Sequence, residues 1–323
     1  MQRPVTIASR SRAFSLVACC TLITTTAFVV PSISYSRACP SATRLHAAAS
    51  VAPAGSVAAS LEALHDATMA KLTDTLKVEA TDYPASMEVE SYSGKSGVTG
   101  SVAGYKGNVR LVWTGEGKMM REEGTQGGGM FRSDIAIWVG PLTLVPHLVM
   151  SLELGEGEGG KEGEVKVLLD YVSREDLQYT TGNNHLTDYF AGPAREATEA
   201  AATDPLTRCR VVLPSFYSRV LVSPSAVSLS LPASPAGITK AGEWMEAHVS
   251  RWLGWCESAK EVDRMKRGLL LSRDNGVRRT WVEGTAGGLE VFVGGREGGK
   301  ALAKQAAIAM SGPQQEAYVG GFS

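Results

Sequence analysis

Two runs of strict alternation, His147 to Leu154 and Glu164 to Asp170, flank a loop of Gly and Glu. A period of two residues fits only an extended strand, so each run has two chemically different faces. In the first run Leu148, Met150, Leu152 and Leu154 share one face, and His147, Val149, Ser151 and Glu153 share the other. Two such runs joined by a short turn-rich loop form an antiparallel hairpin. The middle of the chain therefore does not fit a fold of parallel strands joined by helical crossovers.

The remaining elements are read around that hairpin. Leu61, Leu64, Ala67, Met69, Leu72 and Leu76 recur at helical spacing within Ser56 to Leu76. Thr81 to Tyr105 is Ser- and Gly-rich and carries no periodic signal. Val109 to Trp113 reads as a strand, Gly115 to Gly129 as a charged hairpin region, and Asp134 to Val139 alternates. Arg210 to Leu213, Ser215 to Val222 and Ala226 to Leu231 read as further strands, and Gly237 to Ala259 as an amphipathic helix. The chain closes with a strand, Leu289 to Val293, a glycine loop and a helix, Lys300 to Met310. The fold class is α/β in the α+β sense: a mostly antiparallel sheet sandwiched between helices, as a single domain over 56–323.

Charge divides the chain unevenly. Residues 1–61 hold five Arg (Arg3, Arg10, Arg12, Arg37 and Arg44) and no Asp or Glu, which leaves 27 basic against 33 acidic residues beyond them. The apolar run from Ala13 to Val30 is short and Thr-rich for a membrane span. A Ser- and Arg-bearing, acid-free stretch follows it. Residues 1–48 thus read as a targeting leader set apart from the fold, a signal peptide followed by a transit peptide. It resembles the two-part leaders of proteins sent to complex plastids, with Ala27-Phe28 at the junction, and a mature start between Leu45 and Ser56 is expected. A near-neutral total charge excludes a strongly basic nucleic-acid binder. Only Cys209 and Cys256 lie beyond the leader, without CxxC or His at metal-ligand spacing, so a disulfide framework, a zinc ribbon and a cysteine-ligated iron–sulfur cluster are excluded.

Gly294-Gly295-Arg296-Glu297-Gly298-Gly299-Lys300-Ala301 satisfies the spacing of a phosphate loop. Ala301 stands where Ser or Thr must ligate the metal, and such a loop needs a parallel sheet. A glycine turn before the last helix is the better reading, with nucleotide binding as an alternative. His185, beside Asn183, Asn184 and Asp188, reads as a surface histidine, and His248 as a helix residue at the edge of the core.

Two blocks are recognisable. Leu169-Asp170-Tyr171-Val172-Ser173-Arg174-Glu175-Asp176-Leu177 is followed by Leu186 and Tyr189-Phe190, and Ser215-Phe216-Tyr217-Ser218-Arg219 runs into Ser223-Pro224-Ser225-Ala226. Their order and spacing resemble the red chlorophyll catabolite reductases of plastids, relatives of the ferredoxin-dependent bilin reductases. The resemblance spans Tyr105 to the end and includes His248-Val249-Ser250 and the basic stretch Arg273-Asp274 to Arg278-Arg279. It implies a linear tetrapyrrole bound on one sheet face and reduced at a CH–CH group. Electrons come from reduced ferredoxin without any cofactor or metal, and the protein supplies position and protons. It also implies a place in the plastid stroma and in chlorophyll breakdown, no nucleic acid, no transmembrane segment in the mature chain, and leaves a homodimer open.

Aligned to that family, its pocket glutamate falls at Ser151 and its C-terminal pocket aspartate at Gly284. The nearest carboxylates are Glu153 and Glu283, which are taken as the catalytic proton carriers. A carboxylate against an apolar pigment is expected to hold its proton more tightly than usual. Ser151, Val222 and Gly284 are the substrate-binding candidates. Arg264, Lys266, Arg267, Arg273, Arg278 and Arg279 form a basic segment suited to an acidic ferredoxin. A carrier that binds the same pigment without reducing it is the alternative from another class.

Overall fold

A computed structural model of the protein describes residues 54–81, 98–107, 111–121, 130–155, 163–177, 184–213, 215–293 and 297–313. The leader over 1–48 and the first three residues of the glycine loop, Gly294-Gly295-Arg296, lie outside the described residues. The described elements in chain order are α1 (Ala54–Leu76), β1 (Glu79–Thr81), β2 (Val98–Lys106), β3 (Leu111–Arg121), β4 (Met130–Val139), β5 (His147–Gly155) and β6 (Glu164–Val172). A π-helical turn (Leu186–Phe190) leads into α2 (Pro193–Thr203), β7 (Cys209–Arg210), α3 (Phe216–Leu221), β8 (Val227–Pro232), α4 (Pro235–Glu257), α5 (Arg264–Val293) and α6 (Glu297–Ser311).

The strands make one sheet in the order β1-β2-β3-β4-β5-β6-β8-β7, and each recorded pairing is antiparallel. The alternating runs of the sequence are its centre. Leu148, Met150, Leu152 and Leu154 of β5 join Val165, Val167 and Leu169 of β6 in one core, which α1 and α4 complete with Leu61, Leu72, Met245 and Trp252. The opposite face holds a second core of Trp113, Ala136, Trp138, Val149 and Val172, closed by Trp281, Leu289 and Phe292 of α5 and by a run of alanines on α6. The result is an α/β/α sandwich.

Two glycines explain how close α6 sits. A Cβ on Gly115 would lie 2.0 Å from the Met310 carbonyl oxygen, and one on Gly117 would lie 2.6 Å from the Met310 sulfur. Bare backbone on β3 thus admits the helix at a distance that a side chain would forbid.

Several sequence expectations are corrected. Ser215 to Val222 is not a strand: Phe216–Leu221 forms the short helix α3. Leu289 to Val293 is the last turn of α5, a helix of 30 residues. There Leu289 and Phe292, three apart, face the α6 side of the core, as a helix requires. With helices on both sides of the glycine loop and an antiparallel sheet, the nucleotide alternative loses the strand–loop–helix frame it needs. Arg210 to Leu213 shrinks to the two-residue β7. In the silent stretch before Tyr105 lies β2, whose Gly and Ser residues hide it.

Candidate functional site

Register places the polar side chains of the α5 face in rows across the central strands. Arg132, Glu153 and Lys166 form one row, Asp134, Ser151 and Leu168 the next, and Ala136, Val149 and Asp170 a third. Over these rows α5 presents Trp281, Gly284, Thr285 and Gly288, the i, i+3, i+4, i+7 spacing of one helix face. Between sheet and helix lies a cleft of about 300 Å³, walled on its third side by Val211 to Leu213, Ser218, Leu221 and Val222. At its mouth Val212 and Val222 are exposed, as are Phe216, Tyr217 and Val220 on α3.

The first row is ion-paired. Arg132 donates through Nε and Nη2 to both oxygens of Asp134, at 2.8 and 2.9 Å, and through Nη1 to Glu153 Oε2 at 3.1 Å. Lys166 Nζ donates to the other oxygen of Glu153 at 2.6 Å. Burial alone would push the Glu153 carboxyl up, but Arg132 and Lys166 outweigh it and hold the group below its ordinary value. This reverses the expectation for Glu153: it lines the cleft as placed, but as a fixed anion rather than a held proton.

Asp170 behaves the other way. It is buried at 2 % exposure in the wall of the cleft, with no cation among its recorded partners. Its Oδ1 accepts from Ser223 Oγ at 2.5 Å and from the Tyr171 amide at 2.8 Å, and its Oδ2 accepts from the Ser223 amide at 3.1 Å. Desolvation dominates those three bonds and raises the carboxyl to about 6. A group with that value keeps its proton up to about pH 6 and can release it to a neighbour. Sequence reading placed Asp170 in a recognisable block without giving it a role. Its partner Ser223 is 53 residues away, so no local spacing could reveal the pair.

The other sequence candidates divide between the cleft and elsewhere. Ser151, Val222 and Gly284 line it. Glu283 does not: it is exposed, with an ion pair to Lys304 at 3.3 Å. Successive helix residues point about 100° apart, so a carboxylate one position before Gly284 leaves the cleft. Nor does Gly284 leave room for the expected aspartate, since a Cβ there would meet Ser218 Oγ at 2.5 Å and the Ser218 amide nitrogen at 2.9 Å. Of the basic segment, Arg264, Lys266, Arg273 and Arg279 are exposed, and Arg267 is half-buried, paired with Glu261 at 3.5 Å. Arg278 is buried instead, donating to the carbonyls of Ser311 and Pro313, so it belongs to the packing of α5 on α6.

Beside the cleft a buried network fixes α5 to the sheet. Asp274 pairs through one oxygen with Arg174 Nη2, and through the other accepts from Arg174 Nε and His147 Nε2, each at 3.1 Å. Arg174 also donates to the carbonyls of Gly140 and Thr143, at 2.9 and 2.5 Å. His147 Nδ1 accepts from the Val139 amide at 3.0 Å, which fixes the hydrogen on Nε2. Burial raises Asp274, yet His147 and Arg174 prevail and hold it at about 2. His185, read from sequence as a surface residue, is buried at 2 % exposure and packs edge-on against Tyr189 and Phe190. Burial, then Arg174 and Arg273, lower it to about 4. Both remaining cysteines, Cys209 and Cys256, are half-buried free thiols.

No protein family matches the chain by sequence, and no curated protein does. Solved structures do match by shape. Phytochromobilin synthase from tomato in complex with biliverdin superposes with a TM-score of 0.57 at 12% identity, over 78% of this chain and 85% of that one. At that identity the likeness is one of fold. Among the described residues no helix is long and apolar enough to cross a membrane.

Proposed function

We propose that the protein binds a linear tetrapyrrole in the cleft between its central strands and α5, and reduces it with protons drawn through Asp170. The observation that carries this reading is a buried carboxyl raised to about 6 in the wall of a cleft. The fold shared with a biliverdin-bound synthase supports the class of ligand. The two sequence blocks that resemble red chlorophyll catabolite reductases narrow the substrate to a chlorophyll-derived open-chain pigment. Reduced ferredoxin supplies two electrons singly, and two protons complete the conversion of one C=C bond to CH–CH. As the pigment takes on negative charge, Asp170 passes its proton to a pigment carbon. The carboxylate left behind is stabilised by the Ser223 hydroxyl, the Ser223 amide and the Tyr171 amide. Arg132 and Lys166, with Glu153 between them, set a fixed charge pattern on the same sheet face, two rows from Asp170.

The test is incubation of the protein with red chlorophyll catabolite, and separately with biliverdin, plus reduced ferredoxin without oxygen, followed by pigment chromatography. A reduced product supports the reading. Tight pigment binding without any product would replace it with the carrier reading.

The exposed part of α5 is the surface proposed for ferredoxin. It carries Arg264, Lys266, Arg273 and Arg279 around Met265 and Leu269, which are 87% and 74% exposed. Arg279 is five residues from Gly284, about 8 Å of helix rise from the cleft. Changing Arg273 and Arg279 together to Glu is expected to raise KM for ferredoxin by roughly three- to tenfold at low salt, with the gap closing as salt increases. An unchanged KM at low salt would remove α5 from the contact. The acid-free leader supports a plastid address, and finding residues 1–40 in the native mature protein would argue against it.

A further inference from the structure

Behind Asp170, on the α4 side of β6, lies a second cavity of about 40 Å³, bordered by Thr198, Ser225, Trp244, Ala247, His248 and Arg251. His248 stacks flat on Tyr171 at 3.8 Å between ring centres and 6° between planes. One of its ring nitrogens hydrogen-bonds the main chain of Asp170. The other, Nε2, is buried and has no partner among the described residues. Burial and then Arg251 lower His248 to about 3, so the ring is neutral and Nε2 is its acceptor nitrogen. A buried acceptor left unpaired is costly, and such atoms are paired in nearly all folded proteins. A cavity needs only about 10–15 Å³ and two to four polar neighbours to hold one water. Here His248 with its acceptor Nε2, Ser225 and Thr198 line the same space, and the Thr198 hydroxyl, which donates to the Ser225 carbonyl at 2.7 Å, keeps its oxygen free to accept.

The same loop that forms this cavity also reaches Asp170. Pairing of β8 with β6 stops at Val227 opposite Leu169, so the chain before it crosses the open edge of the sheet. Ser223 bonds Asp170 of the cleft wall, and Ser225 borders the cavity, its Oγ 3.5 Å from Ser223 Oγ. Ser223 donates to Asp170, which leaves its own oxygen to accept from Ser225. Ala247 and half-buried Arg251 bring the cavity to the surface between α2 and α4.

We propose that one water occupies this cavity, donates to His248 Nε2, and returns protons to Asp170 through Ser225 and Ser223. The inference rests on Asp170 as the proton donor of the proposed function. After Asp170 loses its proton to the pigment, the Ser223 hydroxyl proton moves to Oδ1. The Ser225 proton follows to Ser223, and the water gives a proton to Ser225. Bulk water then restores the cavity water, so no electron and no other reactant is involved. Protons thus arrive from the face opposite the substrate, which leaves the cleft free to close over the pigment.

Infrared difference spectroscopy of the pigment-free protein at pH 5 reads the Asp170 carboxyl directly, through the shift of its C=O stretch on transfer to deuterated water. Ser225→Ala is expected to slow that exchange by about tenfold, equivalent to 1.4 kcal/mol on a barrier. The thermal midpoint should stay near wild type, and Ser225→Thr should restore the rate. With pigment and ferredoxin, kcat should fall while KM for pigment stays. A high-resolution crystal structure should place a water at His248 Nε2. Exchange at the wild-type rate in Ser225→Ala, or a dry cavity, would overturn the proposal. If the wild type reduces no tetrapyrrole but Ser225→Ala still slows exchange, the relay stands and the reductase reading falls.

Discussion

Replacing Asp170 by Asn is expected to cut tetrapyrrole reduction by about a hundredfold or more while pigment binding persists, because a general acid is lost and the apolar walls remain. The same change should leave stability at neutral pH near wild type, because removing the buried charge is offset by an Asn Nδ2 that turns a donor towards the Ser223 amide. The folded carboxyl stands at about 6 against an ordinary 3.8, so the native state holds this proton more tightly than the unfolded chain. Its contribution is therefore fully favourable below about pH 4 and is lost as pH rises through 6. At neutral pH the ionised, buried group costs on the order of 1–3 kcal/mol, which an uncharged Asn avoids. Activity of the wild type should decline above pH 6 for the same reason. Full activity in Asp170→Asn would show that the proton comes from elsewhere. A large loss of stability would show that the carboxylate serves the fold.

Asp274→Asn should do the opposite, unfolding the protein at markedly lower temperature. Its partner Arg174 is fully buried, and removing the anion strands a guanidinium in the interior, at a cost of about 3–5 kcal/mol. For a domain of this size that corresponds to a thermal midpoint lower by roughly 10 °C or more. The wild-type carboxyl is depressed to about 2, so its stabilisation is present above pH 4 and drains away as pH falls towards 2. Thermal melts as a function of pH should show this loss in the wild type and a much flatter profile in Asp274→Asn. A midpoint within 2 °C of wild type, well inside the expected shift, would mean that Arg174 finds adequate partners in Gly140 and Thr143 alone.

What the sequence disclosed and what it concealed follow from the range of each signal. Alternation is local, so β4, β5 and β6 were legible, as was the placing of Ser151 and Glu153 on one face, two residues apart. The same displacement logic fails for Glu283, since one step along a helix turns the side chain away, and Leu289 to Val293 reads as a strand although it is the last turn of α5. There Leu289 and Phe292 pack into the core at helical spacing. In α3 the aromatic and branched residues read as extended, yet none of its six residues is buried, so no core periodicity existed to correct the reading. The charge state of the carboxylates was out of reach. Glu153 is governed by Arg132 and Lys166 from two other strands, and Asp170 by burial and a loop 53 residues on.

The closeness of Ser218 to Gly284 restricts how the cleft could gain a carboxylate on its α5 wall. A side chain introduced at 284 collides with Ser218 before it can reach the cleft, so that step taken first should damage the fold. Ser218→Gly removes the hydroxyl oxygen at 2.5 Å but leaves the amide nitrogen of residue 218 at 2.9 Å from the new Cβ, so Gly284→Asp also needs α3 to shift outward. The two positions are thus epistatic, and their double-mutant cycle should depart strongly from additivity. A lineage or a designer placing an acid on the α5 wall must therefore displace α3 before changing the position that will carry it.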